Sequence, residues 1–146
     1  MIKSCLIILG FIPLGMGFIM NWLMMTFSET VLPYLLISAA FLVFWTWISY
    51  ICCGLKGTKK VSACLLNLPL FLALAFNLYQ EIVLGYYFNS LLGICTQFFY
   101  LPILNISYTI TSWSGHLWTA YIAGFLLICL ASFTGCILKK HRTRSS

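Results

Sequence analysis

The placement of charge constrains this chain more than any other feature. Ten charged side chains occur in 146 residues, at five short places, and every interval between those places holds at least 20 uncharged residues. A helix that crosses a bilayer needs about 20 mainly apolar residues. The intervals are apolar as well as uncharged: 62% of the residues are hydrophobic and 7% are charged, against about 25% charged in an ordinary soluble domain. So few charges cannot cover a domain of this size in water, whereas lipid tolerates such a surface.

The charges are also sorted by sign. The basic residues are Lys3, then Lys56, Lys59 and Lys60 in one loop, then Lys139, Lys140, Arg142 and Arg144 in the C-terminal tail. The acidic residues, Glu29 and Glu81, lie near the opposite ends of the predicted helices. Cytoplasmic loops carry an excess of Lys and Arg, so this pattern predicts both termini inside, most simply at the cell membrane. It also accounts for the net charge of +6 without nucleic acid, leaving lipid headgroups as the anionic partner of the tail.

The predicted architecture is an all-α integral membrane four-helix bundle, with spans at residues 4–27, 31–54, 61–84 and 116–138, an outer segment at 85–115 and a basic tail at 139–146. The first two spans are joined by Ser28-Glu29-Thr30 and are expected to form a tight antiparallel hairpin. The first apolar run is too long for a signal peptide and lacks a small-x-small cleavage site, so it counts as a span. Pro13 and Pro69 are expected to bend the first and third spans.

The outer segment carries no charge. A fifth span there would place the basic tail outside, against the sorting of the other charges. Phe88, Leu91, Leu92, Cys95 and Phe99 recur at helical spacing, with Asn89, Gly93, Thr96, Gln97 and Tyr100 on the other side. The pattern predicts an amphipathic helix lying in the outer interface and ended by Pro102, with a re-entrant hairpin turning near Pro102 as the alternative. Tyr86, Tyr87, Trp113 and Trp118 are the expected interfacial anchors, since Tyr and Trp favour the headgroup level.

Polar residues within apolar spans are expensive, so their positions carry information. Asn67, Leu70, Leu74, Asn77 and Glu81 share one face of the third span, and Gly10, Leu14, Gly17 and Asn21 share one face of the first. Asn21 and Asn77 lie at similar depth, about 10 Å below the outer end at 1.5 Å per residue. With Glu81, and with His116 at the start of the fourth span, they form the candidate ligand or ion pocket. Their alternative role is hydrogen bonding between helices. Gly10, Gly17, Ala120, Gly124, Ala131 and Gly135 are candidate packing positions, because small residues let helices approach closely.

Of seven cysteines, Cys5, Cys52, Cys53, Cys64 and Cys136 fall toward the predicted cytoplasmic end, Cys129 within a span, and Cys95 alone toward the outside. That distribution argues against disulfides across the outer surface. No C-x-x-C pair occurs, and the two histidines, His116 and His141, fall at opposite ends, so neither a zinc site nor a bis-histidine haem is expected. The sequence holds no phosphate-binding glycine loop, nucleophile elbow or HExxH motif, and its two carboxylates lie on different helices. The expected function is therefore non-enzymatic and cofactor-free: a subunit, accessory or protective partner of a membrane assembly, meeting lipid and another membrane protein or further copies of itself. The alternatives are a small transporter or channel protomer using Asn21, Asn77 and Glu81, and a lipid-acting enzyme with His116 or Glu81 as its base.

Overall fold

The computed structural model describes residues 2–27, 33–53, 59–85 and 91–142. Every regular element among them is helical: α1 (Ile2–Leu9), α2 (Ile12–Thr26), α3 (Tyr34–Cys52), α4 (Lys59–Leu78), a π-helical continuation of α4 (Tyr79–Leu84), α5 (Leu91–Phe98), α6 (Leu101–Ile110) and α7 (Leu117–Arg142). The Ser28-Glu29-Thr30 connection, Lys56, Tyr86, Tyr87 and the end of the tail lie outside the described residues.

Four stretches are long and apolar enough to cross a membrane: Ser4–Thr26, Tyr34–Cys52, Val61–Leu84 and Leu117–Lys139. They match the predicted spans to within three residues at each end. The chain is thus an all-helical protein with four candidate spans.

Proline acts differently in two of these spans. Pro13 has no N–H to give to the carbonyl of Leu9. The chain turns at Gly10 and Phe11, and α2 restarts with Pro13 in its first turn, where the missing donor is harmless. Pro69 stays inside an uninterrupted α4.

The helices do not pack in the order of the sequence. Both α3 and α4 pack on α7, and they scarcely touch each other. The expected tight hairpin of the first two spans is not formed among the described residues. Instead α2 packs on α5 and α6, and α3 packs on α6 and α7. The reason is α6, which borders both α2 and α3 and takes the contacts they would make with each other.

Glycine permits several of these approaches. A methyl group at Gly10 would meet the Leu66 carbonyl and the Pro69 ring; at Gly17, the Phe98 carbonyl; at Gly135, the Thr46 carbonyl and Tyr50 amide nitrogen. Gly124 faces Ser107 and Ile103 at contact distance. Ala120 is fully buried, and Ala131 packs against the main core.

At the centre, Trp45, Ser132 and Asn67 join α3, α7 and α4. Trp45 Nε1 donates to Ser132 Oγ at 2.9 Å, and Asn67 Nδ2 donates to the same oxygen at 3.0 Å and to the Ala63 carbonyl at 2.9 Å. The Ser132 hydroxyl proton has the Ile128 carbonyl at 3.0 Å and Asn67 Oδ1 at 3.2 Å as acceptors. All three side chains are buried, where an unpaired donor is costly.

At the end of the bundle that carries the basic residues, Lys139 Nζ donates to the Ile51 carbonyl at 3.0 Å and lies 5.6 Å from the centre of the Tyr50 ring. A cation there adds a bond to a carbonyl in the last turn of α3, where basic side chains are favoured. Beside it Cys53 and Cys136 form a disulfide, with their Cα atoms 5.4 Å apart. Both cysteines belong to the set that the sequence places toward a reducing, cytoplasmic end, where a disulfide is not expected; the bond forms because α3 and α7 bring the two positions together.

Candidate functional site

The half of the bundle away from the basic residues is built around the corner between α5 and α6. The two helices meet at 64°. Where the residue pattern predicts one amphipathic helix ended by Pro102, the chain makes two, and Pro102 sits buried in the first turn of the second.

The corner is inside the protein. Phe99 is 5% exposed and Tyr100 fully buried. Tyr100 Oη donates to the Leu70 carbonyl at 2.7 Å, and the Tyr100 ring meets Tyr121 edge-on. Leu70 lies near the middle of Val61–Leu84, about 20 Å along the helix from its C-terminal end. The Phe98 carbonyl lies against Gly17, near the middle of Ser4–Thr26. The corner therefore reaches deep between the spans.

The two sides of α5 are turned in a way that water would not favour. Leu91 and Leu92 are 77% and 70% exposed, while Gly93 is buried and Thr96 and Gln97 are half-buried. The polar side faces protein and the apolar side faces out, the arrangement lipid selects.

Asn77 fixes α5 from α4. It is fully buried, and its Nδ2 donates to the Thr96 carbonyl at 3.2 Å. That carbonyl is in the last turn of α5, where no helical N–H follows to bond it. Asn77 Oδ1 has no partner among the described residues, and neither have the buried hydroxyls of Ser38 and Ser49.

Beyond Asn77 the helix widens into the π-helical segment. Asn67, Leu70, Leu74 and Asn77 all face inward, but the next fully buried side chain is Gln80, and Glu81 is half-buried beside it. Gln80 was missed in the sequence. Steps of three and four residues from Asn77 reach Gln80 and Glu81, and only the second was followed.

The other predicted site residues are placed apart. Asn21 is half-buried on α2 and makes no side-chain hydrogen bond among the described residues, while its neighbour Met20 takes the buried position. Asn77 bonds α5 and not Asn21. His116 is exposed before α7, stacked on Trp118 with ring centres 6.0 Å apart, and makes no hydrogen bond to Glu81. Trp113 is 84% exposed and Trp118 half-buried.

Because α6 separates α2 from α3, a groove of about 320 Å³ opens between them. Met20 and Met24 line one wall, Tyr34 and Leu117 another, and Leu104, Asn105 and Tyr108 of α6 its floor. Its surface is mostly apolar, with the Asn105 amide and two tyrosines as polar groups. Among the described residues no three His, Cys, Asp or Glu side chains converge to hold a metal.

Comparison with protein-family models, curated proteins and solved structures finds no match for this chain. The fold and its surfaces define a class, a four-span helical bundle with an inserted helical corner, and carry the functional argument alone.

Proposed function

We propose that this chain is a non-enzymatic multi-pass protein of the cell membrane, with both termini in the cytoplasm. It acts as a subunit, accessory or protective partner of a larger membrane assembly. One observation carries the reading: the central polar side chains are used in packing. Trp45, Asn67 and Ser132 bond one another, and Tyr100 bonds the Leu70 carbonyl. What the chain offers to other molecules is apolar helix surface, such as Val43 and Trp47 of α3 and Leu72 of α4, together with the groove beside α6. Such surfaces meet lipid and other membrane helices. The 91–110 segment is read as re-entrant, because a non-helical corner at membrane depth is tolerated where protein buries it.

Purification of the tagged chain from its native membrane in mild detergent tests this. The expected result is a second membrane protein, or further copies of the chain, in stoichiometric amount. A clean monomer carrying only lipid overturns it.

A second reading, a small transporter or channel protomer, draws on Asn77 Oδ1. It is a buried acceptor without a partner among the described residues, two residues before a π-helical segment, and π-helical turns recur at functional sites. On this reading Asn21, Asn77 and Glu81 line the path. Glu81→Gln then abolishes flux while the protein still inserts, and full flux in that variant ends the reading.

A further inference from the structure

We infer that Cys53 and Cys136 are a reversible covalent latch, a thiol pair that opens and closes by exchange with small-molecule disulfides and locks α3 to α7. The 5.4 Å between their Cα atoms falls inside the range of about 4.4–6.8 Å that a disulfide requires. Contacts on either side of the pair hold α3 against α7 independently of the bond. One residue before Cys136, Gly135 lies against the Thr46 carbonyl and the Tyr50 amide nitrogen, closer than any side chain would allow. On the following turn, Lys139 Nζ holds the Ile51 carbonyl. Ala63 of α4 covers both cysteines, which are each 6% exposed. The two sulfurs therefore stay within reach of each other when the bond is open.

Reversibility follows from where the pair sits. It is at the end of the bundle that carries the basic residues, which faces the cytoplasm by the charge rule. Disulfides on that reducing side are transient or redox-responsive in most proteins. In this respect the inference rests on the orientation proposed above. The remaining cysteines, Cys5, Cys52, Cys64, Cys95 and Cys129, are free thiols.

The exchange balances without a further reagent. The Cys53 thiolate attacks one sulfur of the small disulfide and expels the other half as a thiolate, which takes up a proton. The Cys136 thiolate then attacks the Cys53 sulfur and expels the second half in the same way. The protein loses two electrons and two protons, and the small disulfide becomes two thiols.

The test uses the full chain in native membranes. Membranes are incubated with oxidised or reduced glutathione, quenched in acid, denatured, alkylated and weighed intact. With reduced glutathione all seven cysteines carry the alkyl group. With oxidised glutathione a species appears that has lost two hydrogens, carries no glutathione at Cys53 or Cys136, and keeps those two positions unalkylated. Cys53→Ser and Cys136→Ser both lack that species. Protein from unstressed cells, quenched at harvest, has the pair open. The inference is overturned if the species never forms, if it persists in Cys53→Ser, or if the pair is already closed in unstressed cells and resists reduced glutathione. A separate Ser146→Cys variant, in which Cys95 is replaced by serine so that no native thiol is expected outside, reports orientation through a membrane-impermeant maleimide. Labelling only in broken cells, with a permanently closed pair, overturns the latch alone. Labelling in intact cells overturns the orientation, and the latch with it.

Discussion

Asn67 Nδ2 donates to Ser132 Oγ at 3.0 Å across 65 positions of sequence, and the same oxygen receives Trp45 Nε1. One hydroxyl thus accepts from two helices while standing on a third. A hydroxyl oxygen has two lone pairs, so both are used.

Ser132→Ala leaves the Trp45 indole N–H without its acceptor and takes one of the two acceptors from the Asn67 amide. The expected loss is about 1–2 kcal/mol, since hydrogen bonds between membrane helices average somewhat under 1 kcal/mol each. Trp45→Phe in the Ser132→Ala background should then have no hydrogen bond left to remove, so the pair falls short of additivity. Reversible unfolding in mixed micelles reads both, and a strictly additive cycle would show that the Trp45–Ser132 bond contributes nothing.

Gly15 and Gly17 stand two residues apart in α2 and should answer oppositely to alanine. Nothing lies within 4 Å of a methyl group at Gly15, whereas one at Gly17 overlaps the Phe98 carbonyl. Gly15→Ala should be neutral or stabilising by up to about 1 kcal/mol, from helix propensity. Gly17→Ala must push α5 away, at a cost of about 1–3 kcal/mol. Thermal unfolding of both variants in the same detergent decides it; equal midpoints would mean that α5 does not sit where the Gly17 contact puts it.

The four spans were legible in the sequence because run length and charge are local properties. Val61–Leu84 coincides with its predicted bounds for that reason. Helix pairing is not local. Ser28-Glu29-Thr30 is short enough for a hairpin, and no residue in α2 or α3 announces that α6 will come between them. The face of the third span was legible as far as Asn77; from there steps of three and four residues reach Gln80 and Glu81, and the residue pattern alone does not choose between them. The 91–110 segment was legible as helical, but not as two helices meeting at a corner. Periodicity finds two faces on a helix, but it does not say which of them meets protein when the solvent is lipid. Leu91 and Leu92 face out, and Gly93 and Thr96 face in.

Tyr100 is the strut of the inserted corner, and its hydroxyl and ring can be separated. Tyr100→Phe removes the bond to the Leu70 carbonyl and keeps the ring against Tyr121, so a loss of about 1 kcal/mol is expected. Tyr100→Ala also empties the ring's space, which in large-to-small substitutions brings the loss to about 3–5 kcal/mol. The half-buried thiol of Cys95 in α5 reports the change: alkylation should be faster in Tyr100→Ala and nearly unchanged in Tyr100→Phe. Equal rates in all three proteins would mean that α5 is held without this strut.

Asn77 gives a more local test of the same corner. Its amide satisfies the Thr96 carbonyl in the last turn of α5, and leucine fills the space without donating. Asn77→Leu also removes the Oδ1 atom that has no partner among the described residues, which offsets part of the loss. The carbonyl left bare is partly buried near the corner, and leaving such a group unsatisfied costs about 1–3 kcal/mol when burial is complete. Because the bond ties α4 to a two-turn helix, the effect should be confined to that helix, as local opening often is. Hydrogen exchange resolved by peptide should show α5 amides exchanging roughly tenfold faster, the equivalent of about 1.4 kcal/mol, while α7 amides keep their protection. Uniformly faster exchange across the bundle would mean that α5 opens only with the whole fold. Unchanged exchange in α5 would mean that Asn77 does not hold it.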